Sequence, residues 1–135
     1  RVEMQKVMMK HVGVFRTAEG IQQAVETIRR LKDQYRHQLA IDDRGKRFNT
    51  DLFEAWELGC LLDIAEVTAL SALARTESRG AHSREDFPQR DDENWLVHTL
   101  AFRQEDGSVR LTHDKPVDLS LAEKDERFKP KERVY

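Results

Sequence analysis

The sequence is short of the residues that mark several common classes of protein. It has a single cysteine, Cys60, so no disulfide can form within the chain, and we expect a reducing compartment. Its 23 basic and 25 acidic residues give a formal net charge of −2. Without a basic excess, the chain is not expected to bind nucleic acid, and it offers no polybasic anchor for a membrane surface.

Long hydrophobic runs and glycine-rich phosphate loops are missing as well. The longest apolar run, Leu58 to Leu62, stops at Asp63, whereas a membrane span needs about 20 apolar residues. There is neither a GxGxxG nor a Walker sequence, so the chain is not expected to bind a dinucleotide through such a loop. Because Arg1 already falls within a helical pattern, we expect the sequence to be part of a longer protein.

Three stretches carry the hydrophobic spacing of helices. The first helix is predicted from Val2 to about His11, and the second from about Ala18 to Leu39, with Thr17 as its N-cap. The third is predicted from about Asp51 to Glu77, with Asn49 or Thr50 as its cap. Short loops between successive helices favour an antiparallel, up-down-up bundle of three.

The third helix carries two apolar stripes rather than one. Two stripes predict two packing partners, so this helix is expected to lie between the other two or to be covered on a further side. Its acidic residues Glu54, Glu57, Asp63 and Glu66 lack the matching histidine of a bundle metal site and are interpreted as a solvated face. The two stripes are Phe53, Trp56, Cys60, Ile64, Val67 and Leu52, Ala55, Leu62, Ala65, Ala69, Leu73.

The last third of the chain changes character. Apolar and polar residues alternate from Trp95 to Phe102, which predicts a strand, and Glu105 to Ser108 predict a turn. The same alternation from Val109 to His113 predicts a return strand, which ends at Pro116. A two-residue turn would set Phe102 opposite Leu111 and, unfavourably, Arg103 opposite Arg110. The stretch from Leu119 to Tyr135 is expected to be extended. The predicted organisation is a helical bundle over residues 1–77, a charged connecting segment over 78–94, and a hairpin with its tail over 95–135.

Side chains for metal binding or nucleophilic catalysis do not occur in convincing patterns. The histidines His82, His98 and His113 lie far from Cys60 and in no zinc-like spacing. A nucleophilic triad could be composed of Ser78 or Ser83 with His82 and Asp86, but the flanking sequence does not resemble a nucleophile elbow. The Cys60 thiol is expected to be unreactive because its neighbours are apolar. We therefore predict no catalytic, cofactor-binding or metal-binding residue in this chain.

The run from Arg79 to Arg84 is the strongest candidate for a functional site. Gly80 permits a positive φ that would reverse the chain past the helix end and display Arg79, His82 and Arg84 together. Guanidinium groups suit carboxylates and phosphates. Three interpretations stay open: pairing with acids of the same segment, contact with another protein or domain, and binding of a small anion. The acids in question are Glu77, Glu85, Asp86, Asp91 and Asp92.

The segment from Glu77 to Leu100 resembles the C-terminal domain of the flavoprotein subunit of succinate dehydrogenase and fumarate reductase. The resemblance lies in two motifs, Glu-Ser-Arg-Gly-Ala-His-Ser-Arg-Glu-Asp-Phe-Pro and Arg-Asp-Asp-Glu-Asn-Trp-Leu-Val-His-Thr-Leu. Three shorter stretches resemble the same family: Phe48-Asn49-Thr50, Ala101-Phe102-Arg103 and the ending Arg133-Val134-Tyr135. L-aspartate oxidase shares the shorter Glu-Ser-Arg-Gly segment and is an alternative. A freestanding helical interaction module is another.

The resemblance implies a mainly α fold, a spectrin-repeat-like antiparallel three-helix bundle followed by a β-hairpin and an extended C-terminal tail. It implies a parent enzyme that oxidises succinate to fumarate by hydride transfer to FAD and passes electrons through an iron–sulfur subunit to quinone. The FAD-binding and capping domains would lie outside this chain, so neither FAD binding nor activity is expected of it alone.

The resemblance further implies partners and a location. The partners would be the FAD-binding domain, the iron–sulfur subunit and, indirectly, the membrane-anchor subunits. The location would be the cytoplasmic face of the inner membrane, or the matrix side in mitochondria. Because the segment holds more charge than solvation requires, we expect contacts to the FAD-binding domain or the iron–sulfur subunit at Arg79, His82, Arg84, Arg90 and Trp95.

Overall fold

A computed structural model describes residues 1–129 and 131. Three helices form an antiparallel bundle: α1 (Val2–His11), α2 (Ala18–Gln38) and α3 (Thr50–Ala74). They are followed by smaller elements at the C-terminal end of α3 and by a hairpin that contacts the side of α3. These are β2 (Ser83–Arg84), which pairs with β1 (Phe15–Arg16), then α4 (Asp92–Trp95), β3 (Val97–Arg103), β4 (Val109–Pro116), α5 (Ser120–Lys124) and a 3-10 turn (Glu126–Phe128).

The three predicted helices and two of their caps are confirmed. The Thr17 hydroxyl accepts a hydrogen bond from the Gly20 N–H at 3.1 Å, and Asn49 Oδ1 accepts one from the Leu52 N–H at 2.8 Å. The predicted end of α3 at Glu77 is wrong, because the helix stops at Ala74 and Arg75 is extended. The carbonyl oxygens of this last turn accept hydrogen bonds from a side chain farther along the chain, described below.

The core lies between α2 and the small-residue face of α3. Ile21 and Ile28 are fully buried in a cluster that also contains Ala65 and Ala69 of α3, whose side chains are small. Met4 and Val12 close the core from the side of α1. The predicted second stripe of α3 therefore packs as expected at Leu62, Ala65 and Ala69.

The predicted two packing partners of α3 are confirmed, because it contacts both α1 and α2, but most of its first stripe stays exposed. Phe53, Trp56 and Ile64 are 66%, 63% and 64% exposed, and Cys60 is exposed rather than buried among apolar neighbours. Beside this stripe, Arg103 of β3 binds Asp63 of α3 at 3.0 Å, so the hairpin borders the exposed surface.

The sequence suggested that the acidic face of α3 is solvated, but one of its four acids is buried. Glu66 is buried and binds Arg29 at 2.9 Å and Lys32 at 2.6 Å. Burial favours the neutral carboxyl, but the hydrogen bonds from Arg29 and Lys32 outweigh it and lower the pKa of Glu66 below its usual range. Lys32 also binds Asp63, so this acidic cluster ties α2 to α3.

The hairpin is confirmed, and its register, which the sequence left open, is not that of a two-residue turn. Phe102 pairs with Arg110 and Arg103 with Val109, joined by a five-residue loop in which the Gln104 N–H donates to the Ser108 carbonyl. This register separates Arg103 from Arg110 and places the Arg110 guanidinium 4.7 Å from the centre of the Phe102 ring. Avoiding like charges and gaining a cation–π contact both favour the observed register.

Two further predictions for the C-terminal third are corrected. Trp95 does not begin the strand, because it ends the short helix α4, whose N-terminus Asp91 caps through hydrogen bonds from Glu93 and Asn94. The tail is not wholly extended, since it contains α5 and the 3-10 turn. The ending Arg133-Val134-Tyr135 lies outside the described residues. None of the helices in the described part of the chain is long and apolar enough to span a membrane.

Candidate functional site

The charged segment folds back onto the C-terminal end of α3 and the N-terminal end of α2. Its backbone is held by β2, where the Glu85 N–H donates to the Arg16 carbonyl at 2.8 Å. Ser78 Oγ donates to the Phe87 carbonyl and accepts from the Arg84 N–H, both at 2.8 Å. We call the charged side chains held in this fold, Arg16, Arg75, Glu77, Arg79, Arg84 and Asp86, the ionic junction.

Glu77 is the anionic centre of the ionic junction. Its side chain is fully buried and accepts hydrogen bonds from Arg75, from Arg79 at 2.8 and 3.0 Å, and from the Asp91 N–H at 2.9 Å. Burial opposes ionisation, but hydrogen bonds from Arg79, Asp91 and Arg75 prevail and lower the pKa of Glu77. The carboxylate is therefore charged at neutral pH and binds three parts of the segment together.

Arg84 caps the C-terminus of α3 with its side chain. Its Nη1 donates to the carbonyl oxygens of Ala72 and Leu73 at 3.0 Å and of Arg75 at 3.1 Å, and the residue is only 1% exposed. The last carbonyls of a helix lack partners within the helix and carry the negative end of its dipole. The buried Arg84 guanidinium donates hydrogen bonds to these carbonyl oxygens and places a positive charge at the negative end of the dipole, so it stabilises the end of α3 at this position.

Asp86 connects this cap to the start of α2. It accepts two hydrogen bonds from Arg84, at 2.7 and 2.8 Å, and one from the Ala18 N–H at 3.0 Å. The bidentate Arg84 contact and the helix N–H lower the pKa of Asp86 to about 2. The Arg84–Asp86 pair thus places a cation at one helix C-terminus and an anion at the neighbouring helix N-terminus.

His82 is half-buried beside three guanidinium groups. Arg16 Nη1 donates to His82 Nδ1 at 2.7 Å, so the opposite nitrogen, Nε2, carries the proton and faces the Arg75 carbonyl at 3.2 Å. Burial and the charges of Arg16, Arg84 and Arg75 lower the pKa of His82. The imidazole is therefore neutral at pH 7.

Arg79 and Arg90 meet at a shared acid near the surface. Asp92 binds Arg79 at 2.6 Å and Arg90 at 2.5 Å, and these two arginine side chains are 27% and 30% exposed. Arg90 also donates to the Lys131 carbonyl at 2.7 Å. Of the predicted contact residues, these two are the arginines that reach solvent.

Trp95 forms the other flank of the charged segment. The Arg75 guanidinium lies 5.0 Å from its ring centre and donates to its carbonyl at 2.9 Å, while His113 packs edge-on at 5.0 Å. The indole N–H donates to the Thr76 hydroxyl at 3.1 Å. Arg75 also reaches the Val97 carbonyl, so it joins the charged segment to the hairpin.

The structure decides part of what the sequence left open. Arg79 and Arg84 pair with acids of the same segment, and the predicted common display of Arg79, His82 and Arg84 is wrong because Arg84 is buried. Gly80 does adopt a positive φ of 56°, but within a tight turn between Arg79 and His82 rather than at the helix end. Contact of the five predicted residues with another domain or subunit stays a prediction.

Sequence reasoning missed Arg16 and underrated Arg75. Arg16 lies 66 residues before His82, and no motif in the sequence connects the two. Arg75 directly follows the last residue of α3, where a basic side chain is common for electrostatic reasons. This position at the helix end could have identified Arg75 as a capping residue, although it does not reveal its contacts with Glu77 and Trp95.

The N-termini of α2 and α3 are capped by side chains of this chain. At α2 the first N–H groups bind Thr17 and Asp86, and at α3 they bind Asn49. Within residues 1–129 and 131, no three His, Cys, Asp or Glu side chains lie close enough together to hold a metal ion.

Mild acid should destabilise the 135-residue chain through His82. The folded pKa of His82 is lowered, so as pH falls from 7 the unfolded state takes up the proton first, and stability is lost between the unfolded value of 6.5 and the lower folded value. The His82→Gln variant should lose less stability than wild type between pH 7 and 5 in urea titrations. His98→Gln, an exposed control, should match wild type; an unchanged slope in His82→Gln would contradict the assignment.

Comparisons with known proteins agree on one relationship. The whole chain, residues 1–135, matches the family model described as fumarate reductase flavoprotein C-term. The succinate dehydrogenase flavoprotein subunit of Rickettsia bellii is 44% identical over 136 residues, covering 100% of this chain and 22% of that protein. The fumarate reductase flavoprotein subunit of Haemophilus influenzae is 42% identical over 135 residues, covering 100% of this chain and 21% of that protein.

The fold comparison points the same way. A structure of a variant E. coli quinol fumarate reductase superimposes with a TM-score of 0.77 at 43% identity, covering 82% of this chain and 19% of that chain. The present chain therefore spans about a fifth of the length of the proteins it resembles.

Proposed function

The chain belongs to the family of C-terminal domains of succinate dehydrogenase and fumarate reductase flavoprotein subunits. We propose that it is a structural domain that binds to the catalytic part of such a subunit. The match of the family model to residues 1–135 carries this proposal. The ionic junction supports it, since it makes a rigid platform from the ends of α2 and α3.

The parent subunit, in this proposal, oxidises succinate to fumarate. Succinate gives a hydride to FAD and a proton to a base, and the electrons pass through an iron–sulfur subunit to quinone. The residues for these steps belong to the FAD-binding and capping domains. The assembly lies at the cytoplasmic face of the inner membrane or on the matrix side in mitochondria, attached indirectly through membrane-anchor subunits.

Within the charged segment, the five predicted contact residues divide into two roles. Arg79 and Arg90 reach the surface around Asp92 and make the contact with the FAD-binding domain or the iron–sulfur subunit. Arg84, His82 and Trp95 are largely engaged inside the chain and hold the segment in the shape that presents those arginines. A preformed platform loses little conformational freedom on binding.

The full-length subunit tests this proposal. Purified wild-type subunit should contain FAD and oxidise succinate with an artificial electron acceptor, whereas the 135-residue chain should do neither. Arg79→Ala in the full-length subunit should reduce FAD retention or assembly with the iron–sulfur subunit by roughly 5- to 150-fold, because the loss of one partly buried charge pair costs about 1–3 kcal/mol.

The matched control is Arg44→Ala, which removes an exposed arginine in the loop between α2 and α3. It should leave both properties at wild-type levels. Stoichiometric FAD binding by the 135-residue chain would contradict the structural role, as would wild-type FAD content and assembly in the Arg79→Ala subunit.

A further inference from the structure

An apolar surface on α3 and the residues before it stays largely exposed in the part of the chain that the structure describes. It consists of Phe48, Phe53, Trp56, Cys60 and Ile64, and we call it the α3 stripe. From Phe53 onward the spacing is three or four residues, so these side chains share one face over about 16 Å of helix. The rings of Phe53 and Trp56 lie 5.9 Å apart, which makes this surface continuous.

The α3 stripe is as large as the largest apolar patch found on a typical single protein. Taking about 200 Å² for each aromatic side chain, its exposed apolar area is on the order of 500 Å², and patches of this size on single proteins are often functional. Phe48 is 100% exposed. Its φ of 52° is in the left-handed region that a phenylalanine rarely adopts, so an exposed and unfavourable conformation is maintained there.

We propose that the α3 stripe is a second docking surface, covered by the part of the same subunit that precedes Arg1 in sequence. This inference rests on the proposed function, because it assumes that the chain is the C-terminal domain of a longer flavoprotein subunit. It goes beyond that function in assigning a separate, apolar interface on the N-terminal half of α3, away from the charged segment at the other end of this helix.

The position of Arg1 favours this occupant. The Arg1 guanidinium binds the Glu57 carboxylate at 2.7 Å and the Glu54 carbonyl at 3.2 Å, so this side chain reaches the first turns of α3, the part of the helix that carries Phe53 and Trp56. A polypeptide joined to Arg1 therefore leaves the domain near the same end of α3 as the stripe. In the relatives, about four-fifths of the subunit lies outside the matched region, so there is ample chain to cover it.

The area argues against a second copy of the chain. Two such stripes facing each other would bury roughly 1,000 Å² in total, whereas obligate homodimers bury about 2,000 Å² or more. Contacts between domains of one chain bury about 600–1,500 Å², which matches. A tethered domain is also held at a high effective concentration, so a modest apolar contact is sufficient.

Cys60 provides a local probe of this interface in the full-length subunit. It lies within the stripe, and trypsin releases it on a single peptide, Phe48 to Arg75, because no lysine or arginine interrupts that stretch. Native subunit is treated with N-ethylmaleimide for increasing times, and labelling of this peptide is followed by mass spectrometry. We expect labelling at least about tenfold slower than in the urea-denatured subunit.

Three outcomes overturn the proposal. Labelling of the native subunit at close to the denatured rate would show that the stripe is uncovered. Protection only after assembly with the iron–sulfur subunit would assign the stripe to that partner. Protection that disappears on dilution would assign it to a second copy. FAD content and succinate oxidation, measured on the same preparation, test the proposed function separately, so failure of one inference is distinguishable from failure of the other.

A substitution pair gives an independent test. Ile64→Lys places a charge in the α3 stripe, while Met9→Lys places the same charge at an exposed apolar position on α1, where the residue is 80% exposed. In the full-length subunit, Ile64→Lys should lower Tm by several degrees and speed up Cys60 labelling, and Met9→Lys should do neither. Equal behaviour of the two variants would refute the docking surface.

Discussion

Replacing Arg84 by alanine should destabilise the 135-residue chain by about 4 kcal/mol and lower its Tm by roughly 10–20 °C. The side chain is 1% exposed, and its guanidinium serves three carbonyl oxygens at the end of α3 as well as Asp86. Each buried acceptor left without a partner costs about 1–3 kcal/mol, and the deleted volume adds a cavity. Thermal unfolding followed by far-UV circular dichroism measures the effect.

Two further variants separate the cap from the charge alone. Arg84→Lys keeps the positive charge, but an ammonium group cannot bind Asp86 in a bidentate manner while also reaching three carbonyls, so it should recover less than half of the loss. Arg44→Ala, at an exposed loop position, should change Tm by no more than a degree or two. If Arg84→Ala were no more destabilised than Arg44→Ala, the capping role would be wrong.

Replacing Glu77 by glutamine should cost about 3–5 kcal/mol, because it removes a buried charge that binds two arginines. Glutamine keeps the shape, but its amide nitrogen cannot accept from Arg79 or from the Asp91 N–H. Chemical denaturation at pH 7 measures this loss. Glu93→Gln, an exposed acid of the same segment, is the matched control and should remain near wild type.

The pH dependence of the Glu77 variant checks the physical cause. The folded pKa of Glu77 lies below its unfolded value of 4.5, so its stabilisation is complete above that pH and is lost as pH falls through the folded pKa. The difference between wild type and Glu77→Gln should therefore shrink as pH is lowered from 5 towards 3. A difference that stayed constant over this range would indicate lost packing rather than lost charge.

Much of the bundle could be predicted because its signals are local. The core positions Ile21, Val25 and Ile28 recur at helical spacing, and Thr17 and Asn49 cap the helices from one residue before them. The hairpin was predictable from alternation around Asp106 and Gly107, although its register depended on whether Arg103 would face Arg110. The family resemblance lay in the charged segment, where the motif is long and continuous.

The interior of the ionic junction could not be predicted, since each of its bonds joins residues distant in sequence. Arg84 and Ala72 are 12 residues apart, Asp86 and Ala18 are 68, and Arg16 and His82 are 66. A charge run in a sequence looks the same whether it is solvated or buried. Burial of Arg84 and Glu77 depends on whether the helix ends and backbone N–H groups around them offer enough partners to offset desolvation.

The amino-acid sequence by itself determined the three helices, the hairpin and the relationship to the flavoprotein family, because periodicity, caps and motifs act within one stretch of chain. Only the tertiary structure decided which arginines are buried, which stripe of α3 packs against α2, and which stripe stays exposed. These outcomes depend on how many neighbours the short α1 and the folded-back segment bring to each face of α3. Two apolar faces on a helix predict two packing surfaces, but the arrangement of the whole chain determines how far each face is buried.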